Sequence, residues 1–340
     1  MFKNLNASFL GVSGHESEII ELALTYGFKG FDLNFQDFHD RAQAKGIGYA
    51  RRLIDSALKT ERIQLGSFNL PIEWDVDDEA FGVELAKLPE LAQMAADLGC
   101  KRCIATISPA GDKRPYHENF EFHKFRLGDI CKTINPLGIQ LGLAFRASED
   151  LRKGQAFQFI HDMEGITALI NMIDAPNIGL AFDSWDFKVS GGSIDDLKKL
   201  SAEQIISVRL ADLPGDDVAP ADVAEEHRFM PGTTDRVDFV AIMTALRDMG
   251  YDGPVTAAPD RRTLGRGRRD IVVEKTGQML DRLIAPPVAE PTPTTDVTDE
   301  APATEPVAEA PVTEPVAEAP VTEPVAAAPE AEAKAAPAEE

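Results

Sequence analysis

Short apolar runs of strand type alternate along this chain with longer stretches whose apolar residues recur every three to four positions. The strand-type runs predicted are Leu5 to Val12, Gly30 to Phe35, Ile63 to Leu70, Arg102 to Ile107, Ile139 to Phe145, Ile178 to Asp183, Ile205 to Leu210 and Pro254 to Ala258. Helical period is read over Glu16 to Tyr26, Asp40 to Glu61, Asp78 to Leu98, Asn119 to Asn135, Met163 to Asp174, Ile194 to Leu200, Val237 to Met249 and Asp270 to Leu283. Glycines at 27, 99, 138 and 250 follow helical segments as left-handed caps and lead into the next strand. A run such as Ile139 to Phe145 has no polar face, so it belongs in a parallel sheet covered on both sides. Eight βα units favour a closed (β/α)₈ barrel, a TIM barrel, over an open doubly wound sheet, and no GxGxxG follows the first run.

Composition divides the chain in two. From Ala285 onward there is no aromatic residue, and 12 of the 23 prolines fall there. The segment repeats nine residues from Thr304 to Val312 and from Thr313 to Val321, with a shortened copy from Thr322 to Pro329. Proline at every fourth or fifth position blocks helix, and the lack of large apolar side chains blocks a core. Residues 1–284 are therefore expected to be the barrel, and 285–340 a disordered acidic Pro/Ala/Glu-rich tail whose partner is unreadable. The formal charge is −23, of which the tail carries −12, leaving about −11 on the barrel. Such a surface repels phosphate backbones, which excludes general nucleic-acid binding, and anionic lipid does not attract it. No stretch has the length and apolarity of a membrane span or a secretory signal, so a cytoplasmic protein is expected. Three cysteines, Cys100, Cys103 and Cys131, imply no disulfide framework, and Cys100-Lys-Arg-Cys103 has no second pair to make a zinc site.

In a (β/α)₈ barrel chemistry sits where the strands end, so those positions carry the functional reading. The chain has Gly142-Leu-Ala-Phe145, Phe159-Ile-His161 with Gly165, Pro176-Asn-Ile-Gly-Leu-Ala-Phe-Asp-Ser-Trp185 and Ser190-Gly191-Gly192. Arg228-Phe-Met-Pro-Gly232 and Gly250-Tyr-Asp-Gly-Pro-Val255 follow. Together these motifs resemble the xylose isomerase-like family of sugar and sugar-phosphate isomerases and epimerases, over about residues 5–284. The resemblance implies a divalent metal held by Glu, Asp, His and Glu at the ends of the fifth to eighth strands. Such a metal polarises a substrate carbonyl while nearby carboxylates move a proton between adjacent carbons.

The four family positions are here Ala144, Asp183, Arg209 and Ala258. Two carboxylates are methyl groups, and an imidazole is replaced by a guanidinium, which has no lone pair to offer a cation. At an effective dielectric of about 20, each charge so changed is worth roughly 4 kcal/mol at 4 Å, so metal binding at this spot is expected to fall by orders of magnitude. A further family position, occupied there by histidine, is Asp186. Without metal or other cofactor, two arrangements are open: an inert Arg209–Asp183 ion pair filling the vacated hole, or a working site with Arg209 as electrophile.

Candidate catalytic residues are thus Asp183, Arg209 and Glu73, the last read as a possible base at the mouth or a solvated loop residue. Candidate substrate contacts are Trp74 and Trp185, as apolar walls for a sugar ring or core caps, with Asp186, His227 and Arg228, the last on a family position that meets substrate hydroxyls. His161 is a further mouth-loop residue. Arginines 261, 262, 266, 268 and 269 follow the eighth strand, where barrels hold phosphate, or else they bind the acidic tail or solvate a loop. The expected ligand is a small sugar, polyol or sugar phosphate. Two functions remain open: a degenerate barrel that still binds such a ligand, and an active aldose-ketose isomerase or epimerase with a metal-free or rearranged site.

Overall fold

The computed structural model describes residues 1–219, 222–265 and 267–285; Arg266 and the acidic repeats lie outside the described residues. Eight parallel strands form the barrel: β1 (Phe2–Leu5), β2 (Gly30–Phe31), β3 in two pieces (Gln64–Leu65 and Phe68–Asn69), β4 (Arg102–Thr106), β5 (Gln140–Ala144), β6 (Ile178–Asp183), β7 (Ile205–Leu210) and β8 (Pro254–Ala257). The ladder starts at the first piece of β3, runs through β2, β1, β8, β7, β6, β5 and β4, and ends at the second piece. Its two ends are halves of one strand, so the sheet closes on itself.

Helices cover the outside: α1 (Glu16–Thr25), α2 (Phe35–Lys45), α3 (Ile47–Leu58), α4 (Asp78–Asp97), α5 (Tyr116–Ile134), α6 (Met163–Ile173), α7 (Ser184–Val189), α8 (Ile194–Lys198), α9 (Phe239–Asp248) and α10 (Arg269–Ile284). Side-chain oxygens of Asn34, Asp77, Asp162, Ser193 and Asp238 each accept a backbone N–H of the first turn that follows, which fixes where these helices begin. Alternate strand residues face the helices and build the main apolar core, Leu141, Leu143, Leu180, Phe182, Val208 and Leu210 among them. Ile104, Ala144, Ala181 and Ile206 pack as a separate small cluster. Among the described residues no helix is long and apolar enough to cross a membrane.

Two expectations are corrected. The run Leu5 to Val12 is not the first strand, because Phe2, Lys3 and Asn4 pair with Pro254, Val255 and Thr256, so the strand ends where the run begins. The apolar Leu10 and Val12 are buried loop anchors, and Val12 N–H bonds back to the Ala7 carbonyl. The disguise is Lys3, a buried lysine inside a strand, whose Nζ bonds the carbonyls of Tyr26 and Gly277 and the Asp281 carboxylate. The segment Asp40 to Glu61 is not one helix: Gly46, at φ 85°, separates α2 from α3.

Register sets the level of the mouth. Asp183 pairs with Arg209, Arg209 with Thr256, and Thr256 with Asn4, so these four stand side by side on the inner wall. Asn4 Nδ2 donates to Thr256 Oγ1 at 2.9 Å and to Asp32 Oδ1 at 2.8 Å. That crossing of the interior needs bare backbone opposite, which Gly66 supplies, since a Cβ there would collide with the Asn4 carboxamide and the Asp32 carboxylate. Gly66→Ala is therefore expected to destabilise the barrel by about 1–3 kcal/mol through overpacking, read as a lower urea midpoint. An unchanged midpoint would show that Asn4 can move aside.

Candidate functional site

Strand β6 ends on Asp183, which doubles as the cap of α7: its Oδ1 accepts the N–H of Trp185 at 3.0 Å. One helical turn further, Asp186 is buried and its Oδ1 accepts the Ala147 N–H at 2.7 Å. Both carboxylates face Arg228, from the loop after β7. That loop is pinned by paired backbone bonds between Asp212 and Phe229, and the Arg228 carbonyl accepts the Asp260 N–H and the Thr263 hydroxyl, each at 2.8 Å. Asp212 itself is buried and accepts backbone N–H groups from Leu213, Thr234, Asp235 and Val237, which ties down the rest of the loop.

Arg228 uses every side of its fork. One terminal nitrogen sits astride Asp183, 3.0 and 2.9 Å from its two oxygens. The other meets Asp186 Oδ2 at 2.6 Å, and Nε meets Glu225 Oε1 at 3.0 Å, an oxygen shared with Arg146 at 3.0 Å. The guanidinium lies on the Trp185 ring, 4.4 Å from its centroid. Three carboxylates hold the Arg228 charge well above the ordinary arginine range despite the burial that opposes it. Asp186 moves the other way: burial lifts its carboxyl from 3.8 to about 7, Arg228 opposes the shift, and Asp183 and Glu225 add to it.

The expected Arg209–Asp183 ion pair does not form, because Arg228 already occupies both Asp183 oxygens. Arg209 instead projects over Phe9, with its guanidinium carbon 5.1 Å from the ring centroid. Among the described residues it has no carboxylate partner and donates no hydrogen bond to the protein. Burial lowers its proton affinity while Asp183, Asp32 and Asp186 raise it from a distance.

Phe9 also lines a cleft of about 640 Å³ over the ends of β1, β2 and β3. Its wall carries Asn6, Asp32, Asn34, Asn69, Glu16 and Arg41. Asp32, at the end of β2, accepts from Asn4, Asn6 and both the N–H and hydroxyl of Ser67, at 2.8–2.9 Å. Glu16 lies 2.7 Å from Arg41, and its carboxyl is nevertheless held above the usual range by burial.

Other sequence candidates lie elsewhere. Glu73 is exposed, and Trp74 packs edge-on against His123 with 5.1 Å between ring centroids; neither lines the cleft. Trp185 is wholly buried, its Nε1 donating to the His227 carbonyl at 3.1 Å, so its exposed-wall reading gives way to a platform under Arg228. His227 Nδ1 accepts from the Ala224 N–H, and His161 contacts its neighbouring Phe159 carbonyl. In the arginine run, Arg262 pairs with Asp260 and Glu226, Arg268 with Asp270 and Arg269 with Glu18, while Arg261 has no ion pair among the described residues. Arg266 is outside the described residues. The three cysteines are free and buried, and burial pushes the Cys100 and Cys131 thiols up to about 12, which removes thiolate chemistry at neutral pH.

At the positions where the resemblance expects metal ligands, Ala144 and Ala258 are buried methyl groups and Arg209 is a cation. Among the described residues no three His, Cys, Asp or Glu side chains converge to hold a metal ion. This donor set does not suit a divalent cation.

Sequence missed Glu16, Asp32, Arg41 and Glu225. Asp32 alone carried a signal, as a charged residue closing the apolar run Gly30-Phe31.

The family described as xylose isomerase-like TIM barrel matches residues 20–280. An inosose isomerase of Bacillus velezensis is 22% identical over 180 residues, covering 53% of this chain and 61% of that protein, which is less than two thirds of the relative. A putative hydroxypyruvate isomerase of Xenopus laevis is 24% identical over 220 residues, 60% of this chain and 74% of the relative. The solved structure of a xylose isomerase domain protein from Alicyclobacillus acidocaldarius superposes with a TM-score of 0.74 at 24% identity, over 84% of this chain and 98% of that one.

Arg228→Ala leaves three carboxylates facing one another and is expected to cost about 3–5 kcal/mol, read by urea unfolding. The raised Asp186 carboxyl makes a separate prediction. Between about pH 4 and about pH 7 the folded chain keeps a proton that the unfolded chain releases, so this group's contribution to stability falls as pH rises through that window. Asp186→Asn cannot ionise and should flatten that slope in melting curves; an unchanged slope would place the proton elsewhere.

Proposed function

The chain belongs to the xylose isomerase-like TIM barrel family, and on that premise we propose that it binds a sugar, polyol or sugar phosphate at the mouth without the family's divalent metal. The observation that carries this reading is the grip of Arg228 on Asp183, the one metal-ligand position of the four that keeps its family residue. A guanidinium that bridges both oxygens stands in for the cation, and its charge cannot be titrated away. A metal ion entering there would have to displace Arg228 from three carboxylates and sit beside Arg209, with two family carboxylates absent at Ala144 and Ala258. Each such charge term is worth roughly 4 kcal/mol at 4 Å for an effective dielectric of about 20. Relatives named for isomerising inosose and hydroxypyruvate support a small oxygen-rich ligand. The proposal places the protein in the cytoplasm and leaves nucleic acid out of its partners, in keeping with the −23 charge.

A second reading is an isomerase or epimerase that moves a proton between adjacent carbons with Arg209 as the electrophile. What favours it is that Arg209, beside Phe9 of the cleft wall, has no protein acceptor among the described residues, together with Glu16 on that wall, whose carboxyl burial raises above its ordinary value. In this reading Arg209 stabilises the developing enediolate oxygen and a cleft carboxylate carries the proton. Asp183 fixes the site by holding Arg228.

Calorimetric titration of the full chain with Mn²⁺ is expected to show no saturable site. Stoichiometric Mn²⁺ binding abolished by Asp183→Ala would overturn the metal-free proposal. For the second reading, the expected result is exchange of a carbon-bound proton into D₂O on a sugar with chelator present. Absence of exchange across a broad sugar panel would leave binding as the function.

A further inference from the structure

We infer that the ligand of the mouth carries a carboxylate, received by the guanidinium of Arg209, so that its class is a polyhydroxylated acid rather than a neutral sugar. The inference rests on the proposal that the mouth binds an oxygen-rich small molecule.

Three observations point to it. The Arg209 guanidinium has no protein acceptor among the described residues, although burial depresses its proton affinity. The acids that could neutralise it are already engaged: Asp183 and Asp186 by Arg228, and Asp32 by the donors of Asn4, Asn6 and Ser67. Beside it, Phe9 lies under the guanidinium and lines the 640 Å³ cleft, where the Asn69 amide, without a protein partner among the described residues, suits a ligand hydroxyl.

A half-buried guanidinium with donors that no protein acceptor fills is a fork for a planar two-oxygen anion. Phosphate is disfavoured because such sites gather several cations or backbone amides at a long helix start, whereas among the described residues Arg209 stands without a second unpaired arginine beside it and Arg262, Arg268 and Arg269 near α10 are paired with carboxylates. Neutral sugars offer no charge to match.

The experiment uses the full chain and matched probes: D-gluconate against D-glucitol, D-glucuronate against D-glucose, and D-ribose 5-phosphate with inorganic phosphate. Each is titrated into wild type, Arg209→Gln and Arg209→Lys by thermal shift and calorimetry. The acids should stabilise wild type more than their neutral partners do, with binding weakened roughly 10- to 100-fold in Arg209→Gln and less in Arg209→Lys. Arg209→Gln alone should melt no lower than wild type, because it removes a half-buried charge that has no protein partner among the described residues; a marked drop would assign Arg209 a structural role and overturn the inference. Neutral sugars bound as tightly as acids, and equally by Arg209→Gln, would overturn the carboxylate while upholding a ligand at the mouth. Preferential binding of the phosphates would overturn it likewise. Failure of every probe on wild type would sink the inference and the binding proposal together.

Discussion

The arrangement at the barrel mouth depends on one guanidinium shared among three carboxylates. Asp183, Asp186 and Glu225 come from the end of β6, the first turn of α7 and the loop after β7, and without a common cation they would repel one another in a poorly solvated place. Arg228 gives that cation a fixed direction, because its backbone is held from both sides by Asp212 through Phe229 and by Asp260 and Thr263. Trp185 then has a face to offer, and its burial follows from serving as the platform. Even the freedom of Arg209 derives from this pairing, since the nearest acid in register with it is already taken.

The barrel was legible because its governing signal is local. Two-sided burial makes strands such as Ile178–Asp183 and Ile205–Leu210 read as largely apolar runs, and both expectations coincide with the strands observed. The failures share a cause, which is that a long-range partner overrode local pattern. Lys3 sits inside β1 because carbonyls and an acid from α10 and the end of α1 satisfy its ammonium, and no window of sequence around residue 3 contains them. The division of α2 from α3 hangs on a single glycine in the left-handed region, within a stretch whose helical period continues past it.

The site was half legible for the same reason. Ala144, Arg209 and Ala258 could be read as departures from a ligand set because each lies at the end of a recognisable strand. The partner of Asp183 could not, since Arg209 is its neighbour in register whereas Arg228 arrives from an irregular loop. A reading by strand position therefore chose the wrong arginine. Glu16 and Arg41 were invisible because nothing in amphipathic helical sequence shows which charged residues of α1 and α2 turn towards a shared cleft.

In the proposed function, these two arginines divide the tasks that one metal ion would combine. A bound metal both neutralises protein carboxylates and presents open positions to a substrate oxygen. On the proposed reading Arg228 does the first, each of its three nitrogens donating to a carboxylate. Arg209 has the complementary profile: among the described residues no acid is bound to it, and its guanidinium lies over Phe9 of the cleft wall. A half-buried guanidinium without a protein acceptor contributes little to folding, and an anion or a row of polar oxygens would satisfy its donors. The proposed ligand would thus account for the position of Arg209, as the three carboxylates account for that of Arg228.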